Sequence, residues 1–200
     1  MTAVPLSPGT ERPWLSVGSP SGTGDGNRDV AVSNNAGGLT RREFFEEVVA
    51  RLRPMLPEER RGFRHRATPF LLKIDFGNQR VHYEVWCDTE RSILGVGLHF
   101  EDGPASTAAY LAYFDRLIVE IKHELGTEIE LERWTASWGH FYEHRALTPL
   151  TDVVAAAIAG RLAVMIGVLQ PLVEAAEVGP ERSAASGEEQ RTGSWRKWRR

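Results

Sequence analysis

The hydrophobic positions of this chain predict a helix, three strands, a second helix, two strands and a final helix. Apolar residues follow a helical spacing over 41–53, alternate with polar residues over 70–100, and return to a helical spacing over 111–125. They alternate again over 127–146 and are then nearly continuous as far as Val173. This order predicts an α+β fold with an antiparallel five-stranded sheet and the element order α-β-β-β-α-β-β-α.

Each of the first three strands sends apolar side chains to one face of the sheet and mostly polar ones to the other. A hairpin turn at Gly77 and Asn78 joins the first two strands. The predicted inward side chains are Phe70, Leu72, Ile74, Phe76, Val81, Tyr83, Val85, Cys87, Leu94, Val96, Leu98 and Phe100. A meander of this kind has one apolar face, and we expect the helices to pack on that face alone.

The first helix has a defined start and end in the sequence. Thr40 and Glu43 have the spacing of a capping box, in which each side chain bonds to the other residue's backbone amide. Pro54 and Pro57 end the helical pattern. The prediction is a helix of about 41–53.

The last predicted helix is apolar on two sides. From Val153 to Leu169 its only charged residue is Arg161, whose insertion into a bilayer costs roughly 2.5–3.5 kcal/mol, so we expect no membrane span. One side carries the small residues Ala156, Gly160, Ala163 and Gly167. Such a helix needs two partners, and a second copy of the chain is the expected second one. This predicts a homodimer through the 150–175 helix.

Composition divides the chain into three parts. Residues 1–39 are rich in Gly, Ser, Pro and Asn without apolar periodicity, which predicts a disordered tail. Residues 40–177 are the single predicted domain, and residues 178–200, with six basic and three acidic side chains, are a predicted disordered basic tail.

The one cysteine, Cys87, excludes an internal disulfide and fits a reducing compartment. No secretory signal pattern occurs in the sequence, and the prediction is a cytoplasmic, bacterial protein.

The outward side chains of the three strands define a polar face, which is the candidate ligand-binding surface. Its predicted members are Lys73, His82, Glu84, Trp86, His99 and Glu101. Gly95 and Gly97 lie on the same side, where they permit close approach of another group. This mixture of aromatic, charged and glycine positions suits a peptide or a small ligand. The alternatives are an ordinary solvated sheet side and a dimer contact.

No motif in the sequence specifies catalysis. His140, Glu143 and His144 spell H-x-x-E-H, a zinc-peptidase signature when it lies on a helix. Here the segment alternates as a strand, with His140 and His144 on one side and Glu143 on the other, so the two histidines are weak metal candidates. The chain has no nucleophile elbow, phosphate loop or dinucleotide fingerprint. We expect no catalytic residue and no cofactor, and keep metal-dependent hydrolysis as an alternative.

Basic residues concentrate after the first helix and near residue 200. The nucleic-acid candidates are Arg60, Arg61, Arg64, Arg66, Arg196 and Lys197. Near Arg196, cations alternate with Trp195 and Trp198, as they do in segments that bind nucleic acids or membrane surfaces. The alternative is that the connector arginines pair with neighbouring carboxylates such as Glu46 and Glu47.

The element order resembles that of the small dimeric secretion-chaperone-like fold, in which helices cover one side of an antiparallel sheet. Within 110–145, the segment YFDRLIVEIKHELGTEIELERW is similar to uncharacterised domains appended to bacterial restriction-associated proteins. The leading hypothesis is a non-enzymatic dimeric module that binds a peptide or protein segment on its sheet face or along helix one. The runner-up is a nucleic-acid-associated accessory domain of a defence system. Neither resemblance carries a matching catalytic motif, so no functional residue is transferred.

Overall fold

The computed structural model describes residues 38–176. Its helices are α1 (Arg41–Met55), α2 (Pro104–Asp115), α3 (Ile118–Leu125) and α4 (Asp152–Ala175). Its strands are β1 (Arg64–Ala67), β2 (Leu71–Asp75), β3 (Val81–Asp88), β4 (Ile93–Phe100), β5 (Glu130–Arg133) and β6 (Gly139–Ala146). A 3₁₀ turn, Glu58–Arg60, lies between α1 and β1. The tails predicted for 1–39 and 178–200 fall outside the described residues, except for Gly38 and Leu39, and Leu39 packs against the core.

All six described strands belong to one antiparallel sheet with the order β1-β2-β3-β4-β6-β5. The α+β class and the antiparallel sheet are confirmed, whereas the predicted count of five strands is wrong. The additional strand is β1, which pairs with β2 at one edge of the sheet. Its sequence, RHRA, lacks apolar alternation because this edge strand is largely exposed, so hydrophobic periodicity could not predict it.

The hydrophobic core lies on one face of the sheet, as the alternation predicts. Fully buried sheet residues on this face are Leu72, Ile74, Tyr83, Val85, Leu94, Val96, Leu98, Phe100 and Phe141. The helices cover them with Phe44, Phe45, Val48, Leu52, Phe114, Ile121, Ile158, Leu162, Met165, Ile166 and Leu169. The burial of Cys87 on this side raises the pKa of its thiol to about 11, so the cysteine is an inert core residue.

Phe70 does not join this core. Alternation places it inward with Leu72, but its side chain is 57% exposed, and the prediction for this residue is wrong. The reason is that β2 begins only at Leu71. Phe70 lies in a turn in which the Thr68 hydroxyl accepts hydrogen bonds from the amides of Phe70 and Leu71.

The capping box predicted at the start of α1 is present. The Thr40 hydroxyl accepts a hydrogen bond from the Glu43 amide at 3.3 Å, and Glu43 Oε2 accepts one from the Thr40 amide at 2.8 Å. The apolar side of α1 is buried in the core through Phe44, Phe45, Val48, Val49 and Leu52. The outer side of α1 is therefore mainly charged.

The second predicted helix is divided into two. α2 ends at Asp115 and α3 begins at Ile118, and between them Leu117 has a non-helical backbone with φ −111° and ψ 7°. Across this break Phe114 packs edge-on against Phe141, with ring centroids 4.9 Å apart, and Ile121 is also buried. The apolar pattern continues through the break, so periodicity alone predicts one continuous helix.

The long helix α4 packs against α1, α3 and β4. By length and composition α4 is long and apolar enough to cross a membrane, and 39% of its most apolar 18-residue stretch is buried within the protein. This is weak evidence for a span, because the core helix of a soluble protein passes the same test. Arg161, in the middle of the helix, binds the buried carboxylate of Glu143 on β6.

Candidate binding face

The polar face lies opposite the core, and its side chains form cross-strand rows. One row places His82, His99 and His140 directly opposite one another across β3, β4 and β6. The next rows contain Lys73, Glu84, Gly97 and Tyr142, and then Trp86, Gly95 and His144. The structure thus brings together the six face residues predicted from sequence and extends the face onto β6.

Lys73 is held by two carboxylates and an imidazole. Its Nζ lies 2.9 Å from Glu84 Oε1, 2.9 Å from His82 Nε2 and 3.5 Å from Glu101 Oε2. His82 Nδ1 lies 2.9 Å from the carbonyl oxygen of Gln79. A proton on Nδ1 satisfies this carbonyl. His82 Nε2 also lies 2.9 Å from Glu84 Oε1, so its protonation decides whether it accepts a hydrogen bond from the Lys73 ammonium or donates one to the carboxylate.

This network keeps Lys73 and Glu84 charged. Burial lowers the pKa of Lys73, but the Glu84 and Glu101 carboxylates outweigh burial and hold this pKa above its ordinary value. Burial likewise opposes ionisation of Glu84, but the neighbouring His99, His82 and Lys73 hold the pKa of Glu84 well below its usual range. An ion pair between the half-buried Lys73 and the buried Glu84 is therefore part of the polar face.

The same residues form a metal-like ligand set. Among the described residues, one nitrogen of His82 and one oxygen each of Glu84 and Glu101 lie within 4.8 Å of one another. The Lys73 ammonium lies against all three of these side chains, at 2.9 to 3.5 Å. The cationic partner of this set is therefore the protein's own lysine, and a divalent ion bound there would have to displace it.

Two indole rings cover much of the polar face. Trp86 lies over Gly95, where an added Cβ would come within 2.1 Å of the ring, so only glycine allows this packing. Trp134, in the β5–β6 hairpin loop, stacks on His140 with a centroid distance of 5.6 Å and an interplanar angle of 6°. His99 contacts both indoles edge-on, at 5.5 and 6.3 Å.

Buried histidines beneath these rings carry unsatisfied nitrogens. His99 and His140 are 4% and 7% exposed, and no described residue makes a hydrogen bond to His99 Nε2 or to either nitrogen of His140. Burial lowers the pKa of His99 to about 3 and also lowers that of His140. Both rings are therefore neutral at pH 7, and these nitrogens are buried beneath the face.

Sequence reasoning missed Trp134 and Glu132 as members of this face. Glu130 and Glu132 on β5 pair in register with Tyr142 and His140, so their side chains lie on the polar face. The alternating glutamates at 128, 130 and 132 indicate that one side of this strand is acidic. Only the pairing of the strand with its neighbour shows that this side belongs to the polar face.

The H-x-x-E-H segment is a strand, as predicted. His140 and His144 lie on the polar face, whereas Glu143 points into the core and binds Arg161 and Arg145. The glutamate that would act as base in a zinc peptidase is therefore on the opposite side of the sheet from both histidines.

Most arginines of the basic connector bind groups within the protein. Arg60 forms a two-point ion pair with Glu174, at 2.8 and 3.1 Å, and Arg64 binds Asp75 at 2.6 Å. Arg61 donates to the carbonyl oxygen of Leu56 at 2.8 Å. Arg66 is exposed on the edge strand β1. Arg196 and Lys197 lie outside the described residues.

Comparisons with known proteins found no match: no family model, no curated protein and no solved structure is significantly similar to this chain. The resemblances in element order and in segment 110–145 therefore stay predictions.

Proposed function

We propose that this chain is a non-enzymatic, dimeric cytoplasmic module that holds a peptide or protein segment on its polar face. The observation that carries the proposal is that two partly exposed aromatic rings, Trp134 and Tyr142, pack against His140 next to the half-exposed carboxylate of Glu132. Aromatic rings offer a peptide contact area at small entropic cost, and an exposed carboxylate accepts hydrogen bonds from its N–H groups.

The two alternatives have less support. Two observations argue against metal-dependent hydrolysis. The Lys73 ammonium already contacts the metal-like ligand set, and Glu143, the glutamate of the H-x-x-E-H segment, faces the core. For nucleic-acid binding, three of the four connector arginines already bind groups of the protein itself. Neither argument applies to a peptide on the polar face.

The proposed dimer uses the outer side of α4. Val153 is 78% and Val164 48% exposed, and a Cβ added to Gly160 or Gly167 would meet nothing within 4 Å. With Ala157 they form an uncharged stripe along the helix, the α4 outer stripe, at alternating spacings of four and three residues. This spacing is the one with which two helices pack along a shared seam.

A displayed random-peptide library, selected on the full chain, tests the binding function. Selected peptides should bind the Trp134→Ala variant at least about tenfold more weakly, because an anchoring aromatic is lost. The matched control is Phe70→Ala, which removes an exposed aromatic outside the polar face and should leave affinity unchanged. A library that yields no binder, or only binders indifferent to Trp134→Ala in a variant with an unchanged circular dichroism spectrum, overturns the proposal.

Light scattering after size exclusion tests the dimer. The full chain should elute as a dimer at about 10 μM, and Val164→Glu should elute as a monomer because it buries a charge in the seam. Val119→Glu, at a 75% exposed valine of α3, should remain dimeric. A monomeric wild-type chain at this concentration rejects the dimer.

A further inference from the structure

On the polar face, Glu84 pairs with His82 and also lies 3.5 Å from His99, and Glu132 forms a second pair with His140, but only the Glu84 pair holds a cation. His82 Nε2 and Glu84 Oε1 lie 2.9 Å apart, and both contact the Lys73 ammonium. His140 Nε2 and Glu132 Oε2 lie 3.5 Å apart, and no described lysine or arginine pairs with Glu132. The second pair thus lacks the cation that Lys73 supplies to the first.

The surroundings of the second pair suit an ammonium or guanidinium group. Tyr142 lies against His140, with ring centroids 4.4 Å apart, and Trp134 stacks on the same imidazole. Glu132 is 53% exposed and can receive an incoming cation from solvent. Aromatic faces attract cations, and a carboxylate next to them adds a charge-assisted hydrogen bond.

We propose that the chain's own C-terminal segment, Trp195–Arg200, docks on the His140–Glu132 pair. There it competes with the peptide of the proposed function, and this inference rests on that function. The segment WRKWRR carries four cations, two tryptophans and no acidic side chain. Its charge complements that of Glu132, because the neighbouring Glu130 already pairs with Lys122. Its tryptophans add apolar contact area next to Trp134 and Tyr142.

The connecting chain is long enough for this contact. Described residues end at Ala176, and 18 residues separate it from Trp195. Extended chain spans up to about 3.3 Å per residue, which gives a reach of about 60 Å. This exceeds the distance across a domain of this size, about 40 Å, so the segment can reach the opposite face of its own sheet or that of a second copy.

Carbodiimide cross-linking of the full chain tests the docking, because it joins only amines and carboxylates in direct contact. The sequence has three lysines, Lys73, Lys122 and Lys197, so the products are few. We expect an amide between Lys197 and Glu132, identified by mass spectrometry and lost in Glu132→Gln. The Lys122–Glu130 pair, at 3.1 Å, is the internal positive control. Raising NaCl from about 0.05 to about 0.5 M should reduce the Lys197 product at least about threefold, by screening.

A second measurement separates this inference from the proposed function. In the full chain, reversing the segment's charges with Arg196→Glu, Lys197→Glu, Arg199→Glu and Arg200→Glu should strengthen binding of a selected peptide severalfold. No Lys197–Glu132 product, together with unchanged peptide affinity in the reversed variant, overturns the docking but leaves the peptide-binding function intact. Failure to select any peptide on either the wild-type or the reversed chain overturns the function itself.

Discussion

Arg161 of α4 donates two hydrogen bonds to one carboxylate oxygen of Glu143 on β6, from Nη2 at 2.6 Å and from Nε at 2.9 Å. Both side chains are almost fully buried, at 10% and 6% exposure. Arg161 also donates to the carbonyl oxygen of Leu125 at the end of α3. One guanidinium therefore connects three elements of the fold around a buried carboxylate.

Arg161→Ala should lower the free energy of unfolding by about 3 kcal/mol, because it leaves the buried Glu143 with Arg145 as its remaining charged partner. Urea denaturation of the variant measures the loss. Arg91→Ala removes an exposed arginine, 3.9 Å from Asp88, and should cost less than about 0.5 kcal/mol. Equal losses of unfolding free energy in the two variants would contradict the stabilisation assigned to the Arg161–Glu143 pair.

Stability should fall as the pH is lowered from about 6.5 to about 5. The pKa of His99 in the folded protein, about 3, lies below its ordinary value of 6.5, so the unfolded chain binds more protons in this interval. The contribution of one such histidine is at most about 1.4 kcal/mol per pH unit. His99→Gln should flatten the dependence of unfolding free energy on pH. An unchanged slope in this variant would show that His99 titrates normally.

Lys73→Ala should create a site for a divalent metal ion. Removing the ammonium leaves His82, Glu84 and Glu101 with no cation between them, in a ligand arrangement that zinc accepts. Zinc should raise the thermal unfolding midpoint of this variant and not that of the wild type. Adding His82→Ala to the variant should abolish the response. A wild-type chain that responds equally would show that Lys73 does not exclude the metal.

Gly95→Ala should destabilise the protein by about 1–3 kcal/mol, because the new Cβ would come within 2.1 Å of the Trp86 indole. The cost should fall below about 1 kcal/mol in a Trp86→Ala background, where the ring is absent. Gly62→Ala is the control, since nothing lies within 4 Å of its added Cβ. A double-mutant cycle by urea denaturation measures the coupling, and purely additive costs would contradict the packing.

The alternation in β2, β3 and β4 was enough to predict which side of the sheet carries the core. Tyr83, Val85 and Leu98 point inward for that reason, and His82, Glu84 and His99 point outward. The same rule predicted that His140 and Glu143 lie on opposite faces of the sheet, as they do. These predictions hold because side-chain direction in a strand depends only on residue parity, which is a local property.

Tertiary structure decided what those side chains meet. The pairing of β5 with β6 put Glu132 opposite His140, and the hairpin loop placed Trp134 over the imidazole. Across the break between α2 and α3, Phe114 packs against the distant Phe141, whereas the exposure of Phe70 follows from a local turn at Thr68 that periodicity does not record. Periodicity determined the layers of this protein, because it records which side of each element avoids water. Strand order and register determined the polar face, because contacts between distant segments leave no periodic trace in the sequence.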